Sequence, residues 1–108
     1  MSWLNAYPRG ARPYFAALVA AARRVDPSTR ITSTRRSRSE QARLYRRFLA
    51  GQSKYPVARP GTSKHELGRA IDIVAKPETL RRLGEAWERL GPTFRWGGRF
   101  NDAIHFEL

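Results

Sequence analysis

A chain of 108 residues with 21 Lys and Arg against 9 Asp and Glu, net +12, is long enough for one domain with one modest core and too short for a second module. The lack of cysteine excludes disulfides and thiolate ligands, no apolar run approaches the ~18 residues of a membrane span, and Met1 to Gly10 lacks the apolar centre of a secretory signal. The expectation is a single domain over residues 1-108, monomeric and made in the cytoplasm, whose cationic field favours a polyanion: nucleic acid, an anionic membrane face, or a phosphate-bearing cell envelope.

Met1 to Ala11 carries Trp3, Leu4, Tyr7 and Pro8, apolar enough to lie on the body. Pro13 suits the first turn of a helix, and Tyr14, Ala17, Leu18, Ala21 and Val25 recur at helical spacing until Asp26-Pro27 ends it. This stripe reads as core packing. Arg30 to Thr34 reads as a short strand, followed by an arginine-dense turn, Arg35-Arg36-Ser37-Arg38. Ser39 is expected to cap a helix from Glu40 to about Ala50 that Gly51 stops, with Leu44, Tyr45, Phe48 and Leu49 inward. Arg43, Arg46 and Arg47 then face outward, as solvated cations or as a polyanion contact.

Gln52 to Thr62, with Pro56, Pro60 and Gly61, reads as a loop that delivers His65. Ala70-Ile71-Asp72-Ile73-Val74 alternates as a strand with Ile71 and Ile73 on one face and Asp72 on the other. Pro77 opens a helix whose Leu80, Leu83, Trp87 and Leu90 form a stripe before Gly91-Pro92. Phe94-Arg95-Trp96 is a short strand in which Trp96 either lines a groove or packs. Gly97-Gly98 is read as a turn that leaves the mouth of a site open. The last strand, Ala103 to Leu108, points Ile104, Phe106 and Leu108 at a core and His105 and Glu107 the other way. This order predicts an α+β domain with helices packed on one face of a small, mainly antiparallel sheet.

The chain has 2 histidines, and each stands a short distance from an aspartate: His65 seven residues before Asp72, His105 three after Asp102. If the strands holding Asp72 and His105 pair, the two side chains share a face about 5 Å apart, and Gly68 allows the chain to return His65 to the same point. Two imidazoles and a carboxylate form the three-ligand set of a catalytic Zn2+ site, leaving a fourth position for water.

Ser63, His65, Gly68, Ala70 and Asp72 match an SxHxxGxAxD pattern. Gly97 to Glu107 looks like a GGxFxDxxHFE block, and Ile31 to Tyr45 resembles an SGYRSxxEQxxLY stretch. In this order, over Ile31 to Leu108, the three patterns resemble those of the M15 zinc peptidases, which include D-Ala-D-Ala carboxypeptidases and the L-alanyl-D-glutamate endopeptidases of phage endolysins. The resemblance implies the hedgehog/D-Ala-D-Ala-peptidase-like fold, Zn2+ as cofactor, and a peptidoglycan stem peptide as substrate. It also implies an acidic catalytic base at Asp102; Glu107, on the same strand face as His105, is the competitor or a residue orienting a ligand. Arg36 aligns with an arginine that would hold the oxyanion or a substrate carboxylate, although Thr34 and Arg35 replace the pattern's Gly and Tyr and leave open which arginine points inward. Ser63 and Gln41 match positions expected to hydrogen-bond substrate or a ligand, with turn and capping roles as the alternative.

The function so implied is hydrolysis of a stem-peptide amide, L-Ala-D-Glu before D-Ala-D-Ala, by a bacteriolytic enzyme reaching the wall through holin-type release or in a phage particle. The charge would hold it to anionic envelope polymers. A zinc-bearing wall-binding domain without turnover is the second class. A nucleic-acid-binding domain would use the arginines but leave the His/Asp set idle, so no nucleic-acid partner is expected.

Overall fold

The computed structural model describes residues 2–108; Met1, the first residue of the expected N-terminal apolar stretch, lies outside them. The chain runs from a 3-10 turn (Ser2–Ala6) through α1 (Arg12–Val25), β1 (Arg30–Ser33), α2 (Arg38–Leu49), β2 (Ala70–Val74), α3 (Pro77–Glu88) and β3 (Arg95–Trp96) to a second 3-10 turn (Gly97–Phe100) and β4 (His105–Glu107). The sheet is antiparallel, in the order β1-β2-β4-β3. Among the described residues no helix is long and apolar enough to cross a membrane.

The alternation in β2 and β4 decides the sheet's two faces. Ile71, Ile73 and Phe106, all fully buried, meet Phe15, Leu18, Val19 and Ala22 of α1 and Leu80 and Trp87 of α3. Trp87 sits at the centre, stacked on Phe15 at 5.6 Å and edge-on to Phe106 at 6.0 Å, while its indole N–H donates to the Glu107 carbonyl at 2.8 Å. The polar end of each large aromatic is satisfied where it is buried: Tyr7 donates its hydroxyl to the Ala70 carbonyl at 2.7 Å, fixing the N-terminal segment to the body as its apolar content predicts.

Several details depart from the sequence reading, each for a physical reason. The buried stripe of α1 is Phe15, Leu18, Val19 and Ala22, whereas Tyr14 and Val25 are exposed. The helix turns its bulkiest apolar arc inward, one residue away from the alanine-weighted arc. Helix α2 is capped by Ser37, not Ser39: the Ser37 hydroxyl accepts from the Glu40 N–H at 3.1 Å, and the Glu40 carboxylate accepts from the Ser37 N–H at 3.0 Å. This reciprocal box fills two of the orphan donors at once, which a lone Ser39 does not. Phe48 and Leu49 are exposed and Gln41 is the buried residue of α2, so the helix walls a cleft beside the sheet while α1 and α3 cover the core face. Leu90 lies past the end of α3 and is exposed.

Gly97 and Gly98 are required by close packing rather than by an open mouth. A Cβ on Gly97 would stand 2.1 Å from the Asp102 carbonyl oxygen, and one on Gly98 would stand 2.2 Å from the Trp96 ring. That ring also lies over Gly84, where a Cβ would come within 2.0 Å of it. Trp96 is therefore a core residue, with its indole N–H on the Ala103 carbonyl at 2.8 Å, and it does not line the cleft.

Candidate metal centre

The register of β2 against β4 sets Asp72 directly opposite His105. His65 arrives from the loop between α2 and β2 through a turn in which the Ser63 hydroxyl accepts from the His65 N–H at 3.1 Å. Gly68 takes φ 68° there, and a Cβ on it would meet Pro8 Cδ at 2.8 Å, so both conformation and packing call for glycine. A two-way clamp holds this turn to the end of β1: the Arg36 N–H donates to the His65 carbonyl at 3.1 Å, and His65 Nδ1 lies 2.8 Å from the Thr34 carbonyl oxygen.

These contacts fix the tautomers. A carbonyl oxygen only accepts, so His65 Nδ1 carries a proton and points Nε2 at Asp72 Oδ1, 3.1 Å away. The Glu107 carboxylate lies 2.8 Å from His105 Nε2, which makes that nitrogen the donor and points Nδ1 at the same Asp72 oxygen, also 3.1 Å away. In neutral rings, two lone pairs would then face one carboxylate oxygen. Protons on both rings or a cation shared by the three groups resolves that opposition. The donor atoms of His65, Asp72 and His105 all lie within 4.8 Å of one another. Tetrahedral donors ~2.1 Å from a zinc ion stand ~3.4 Å apart, so the set fits one ion, and two nitrogens with one oxygen are ligands zinc accepts.

The second Asp72 oxygen receives Arg36 Nη2 at 3.1 Å. Arg36 is the arginine that points inward, while Arg35 is exposed. Its Nε donates to Ser33 Oγ at 2.8 Å and its Nη1 to Gln41 Oε1 at 3.0 Å. A β-bulge between Ile31 and Ser33 brings Ser33 opposite Asp72 and so builds this arm of the site. Gln41, fully buried, spends its amide N–H on the Ala58 carbonyl at 2.9 Å. Ser63 and Gln41 both border the cleft, but their recorded bonds orient His65 and Arg36.

Electrostatics follow from burial. Burial works to raise the Asp72 pKa, yet bonds from the two imidazoles hold it well below the usual carboxylate range. For His105, burial favours the neutral ring, but Asp72 and Glu107 outweigh it and lift the pKa to about 9. The bond from His105 keeps Glu107 low and ionised. Asp102, in the turn before β4, has no side-chain hydrogen-bond partner among the described residues; burial and the charge of Asp72 push it up to about 6. It borders the cleft with His65, Asp72 and His105.

That cleft has a volume of about 570 Å³, and a second hollow of about 530 Å³ meets it along Arg36, Leu44, Tyr55 and Asp72. The first hollow holds the whole His/Asp cluster, and the second reaches it at Asp72. The lining of the first includes Lys64, Tyr55, Arg95 and Phe100, which the sequence reading left out. Strand parity could have found Arg95: with Trp96 facing the core, its neighbour on β3 faces the site, opposite Glu107.

Comparisons with known proteins bear on the family and the fold. The family model described as VanY, D-alanyl-D-alanine carboxypeptidase, matches residues 7–108. No curated protein sequence matches the chain. Among solved structures, VanYB in complex with D-alanine-D-alanine is 25% identical, with a TM-score of 0.69 over 94% of this chain and 70% of that one. The vancomycin-resistance D,D-pentapeptidase VanY from a VanB-type cassette, solved as a mutant with Zn(II), is 24% identical, with a TM-score of 0.67 over 94% of this chain and 71% of its own. The Serratia marcescens L-Ala D-Glu endopeptidase ChiX is 22% identical, with a TM-score of 0.62 over 97% of this chain and 82% of its own. All three share the fold described above.

Proposed function

The chain belongs to the VanY family of D-alanyl-D-alanine carboxypeptidases, a peptidase family, and from that premise we propose that it is a zinc-dependent peptidase of peptidoglycan stem peptides that cuts within the peptide, between L-Ala and D-Glu. The observation that carries the metal reading is the convergence of His65 Nε2 and His105 Nδ1 on one oxygen of Asp72, each at 3.1 Å, with every other donor on those three groups already engaged. His65, Asp72 and His105 are the proposed zinc ligands. Zinc held by such a set supplies Lewis acidity, making water a nucleophile near neutral pH and polarising a carbonyl.

The remaining work falls to side chains of this protein. Asp102 is the proposed general base: its unpartnered carboxylate, on the cleft and with a pKa of about 6, receives the proton of the attacking water and passes it to the leaving amine nitrogen. Glu107 is committed to His105 Nε2 and therefore orients a ligand. Arg36 holds the second Asp72 oxygen in place. Three of its five N–H groups are engaged, and the two left are the donors proposed for the substrate carbonyl oxygen as negative charge develops.

Cleavage within the peptide is favoured by the second hollow beside the cleft, which shares Arg36, Leu44, Tyr55 and Asp72 with it and offers further substrate chain a place to lie. The second reading, removal of a terminal D-Ala, is favoured by the description of the matching family and by the dipeptide bound to VanYB. Digestion of purified peptidoglycan with mass spectrometry of the products separates them. A new D-Glu amino terminus is expected, and release of free D-Ala without it overturns the endopeptidase reading.

A further inference from the structure

Resting on that peptidase reading, the structure also indicates how the substrate is held. Arg36 is the arginine expected to take the oxyanion or a substrate carboxylate, and the two N–H groups it has left are the donors proposed for the carbonyl oxygen. The cleft needs another cation for the carboxylate. Arg95 projects from β3 onto the site face with its side chain 61% exposed, its guanidinium 5.3 Å from the centre of the Phe100 ring. Its recorded ion pair, with Glu107, is long at 4.0 Å. Lys64, in the turn just before His65, borders the same cleft. Glu107 already accepts the Nε2 proton of His105 at 2.8 Å. The Arg95 guanidinium is left with donors to spare at this end of the cleft.

We propose that Arg95 and Lys64 form a seat for a carboxylate of the substrate, on the residue that carries the leaving amine. Both candidate bonds present one there: the terminal carboxylate of D-Ala-D-Ala, or the α-carboxylate of D-Glu. The exposed guanidinium offers a two-pronged donor set that matches a carboxylate, and the Phe100 face holds it from behind. The seat lies on the Asp102 and His105 side of the cleft, away from the hollow lined by Arg35 and Arg43.

Paired synthetic stem peptides test this, each pair differing only in whether the leaving-side residue bears a carboxylate or a carboxamide, one pair built on D-Ala-D-Ala and one on L-Ala-D-Glu. The zinc-loaded chain is expected to prefer the acid member by about ten- to a hundredfold in kcat/KM, the worth of a charge-assisted hydrogen bond. The pair that shows the preference identifies the carboxylate. Arg95→Met combined with Lys64→Met is expected to erase it mainly through KM, bringing the acid member down to the carboxamide member, while Arg95→Lys keeps part of it. A preference that survives the double variant, or disappears instead in Arg35→Met with Arg43→Met, overturns the seat, as does an equal loss on both members of a pair. If the unaltered chain cleaves none of the peptides, the peptidase reading fails separately. Calorimetric binding of the same pairs then judges the seat, and equal affinity for acid and amide refutes it.

Discussion

Asp102 illustrates how a single side chain sets a pH profile. Its carboxyl, raised to about 6 by burial and by the charge of Asp72, accepts a proton only when ionised, so with Asp102 as the proposed base, activity is expected to fall as pH drops through that value. A cation on Asp72 removes part of the raising charge, placing the acid limb of kcat/KM at 6 or below. Asp102→Asn is expected to lose ~10²- to 10⁴-fold in kcat while keeping zinc, and the limb should vanish from what remains. Unchanged turnover would remove Asp102 from the mechanism, and a wild type without turnover would return the chain to the binding-domain class. His105 sets a second dependence. Without metal, its pKa of about 9 keeps the ring protonated at neutral pH, and zinc must displace that proton. Zinc affinity should therefore rise with pH, by up to about tenfold per unit, and level off above 9; calorimetry in buffers of different ionisation enthalpy reads the released proton. The metal-free fold is expected to show the opposite trend. Protonated His105 contributes stability that is fully present below the unfolded value of ~6.5 and is lost as pH rises toward 9.

At the scale of elements, the sequence was most legible where period and chemistry agree. In β2 and β4, β-branched and aromatic residues alternate with Asp72 and His105, and parity alone set the cluster's face; the observed register then placed the two opposite each other. Where several apolar arcs compete, it was less legible. Helix α1 offers Tyr14 and Ala17 beside Phe15 and Leu18, and the packing of Phe15 on Trp87 and Tyr7 decides between them through contacts distant in sequence. The bulge in β1 left no mark in composition, although it brings Ser33 to Arg36. The tight contacts of Trp96 with Gly84 and Gly98 likewise needed three dimensions. Gly84→Ala in α3 would improve helix propensity but drive its Cβ into the Trp96 ring. It is expected to lower unfolding free energy by roughly 1-3 kcal/mol in urea titration, the cost of overpacking. Ser37→Ala, which breaks the capping box of α2, should cost about 1 kcal/mol by the same measurement. An unchanged midpoint in either variant would contradict the contact assigned to it.

For the whole molecule, one small core carries the fold and one small cluster joins its parts. His65, Asp72 and His105 come from a loop, β2 and β4, so an ion bound to all three cross-links segments far apart in the chain. At free zinc ~1000 times the dissociation constant, that linkage stabilises the folded state by ~4 kcal/mol, and chelation should remove it as a drop in Tm. Phe106→Ala, which empties the centre of the core behind the cluster, is expected to cost ~3-5 kcal/mol with or without metal. Arg43, Arg46 and Arg47 of α2 are solvent-exposed, as the sequence reading has them.

The most direct test of the central claim is zinc stoichiometry by native mass spectrometry of the purified chain and of His105→Ala. The account predicts one zinc per chain, lost in the variant, because two remaining donors no longer enclose the ion. Equal zinc in both proteins, or none in the unaltered chain at saturating metal and pH above 7, would contradict it.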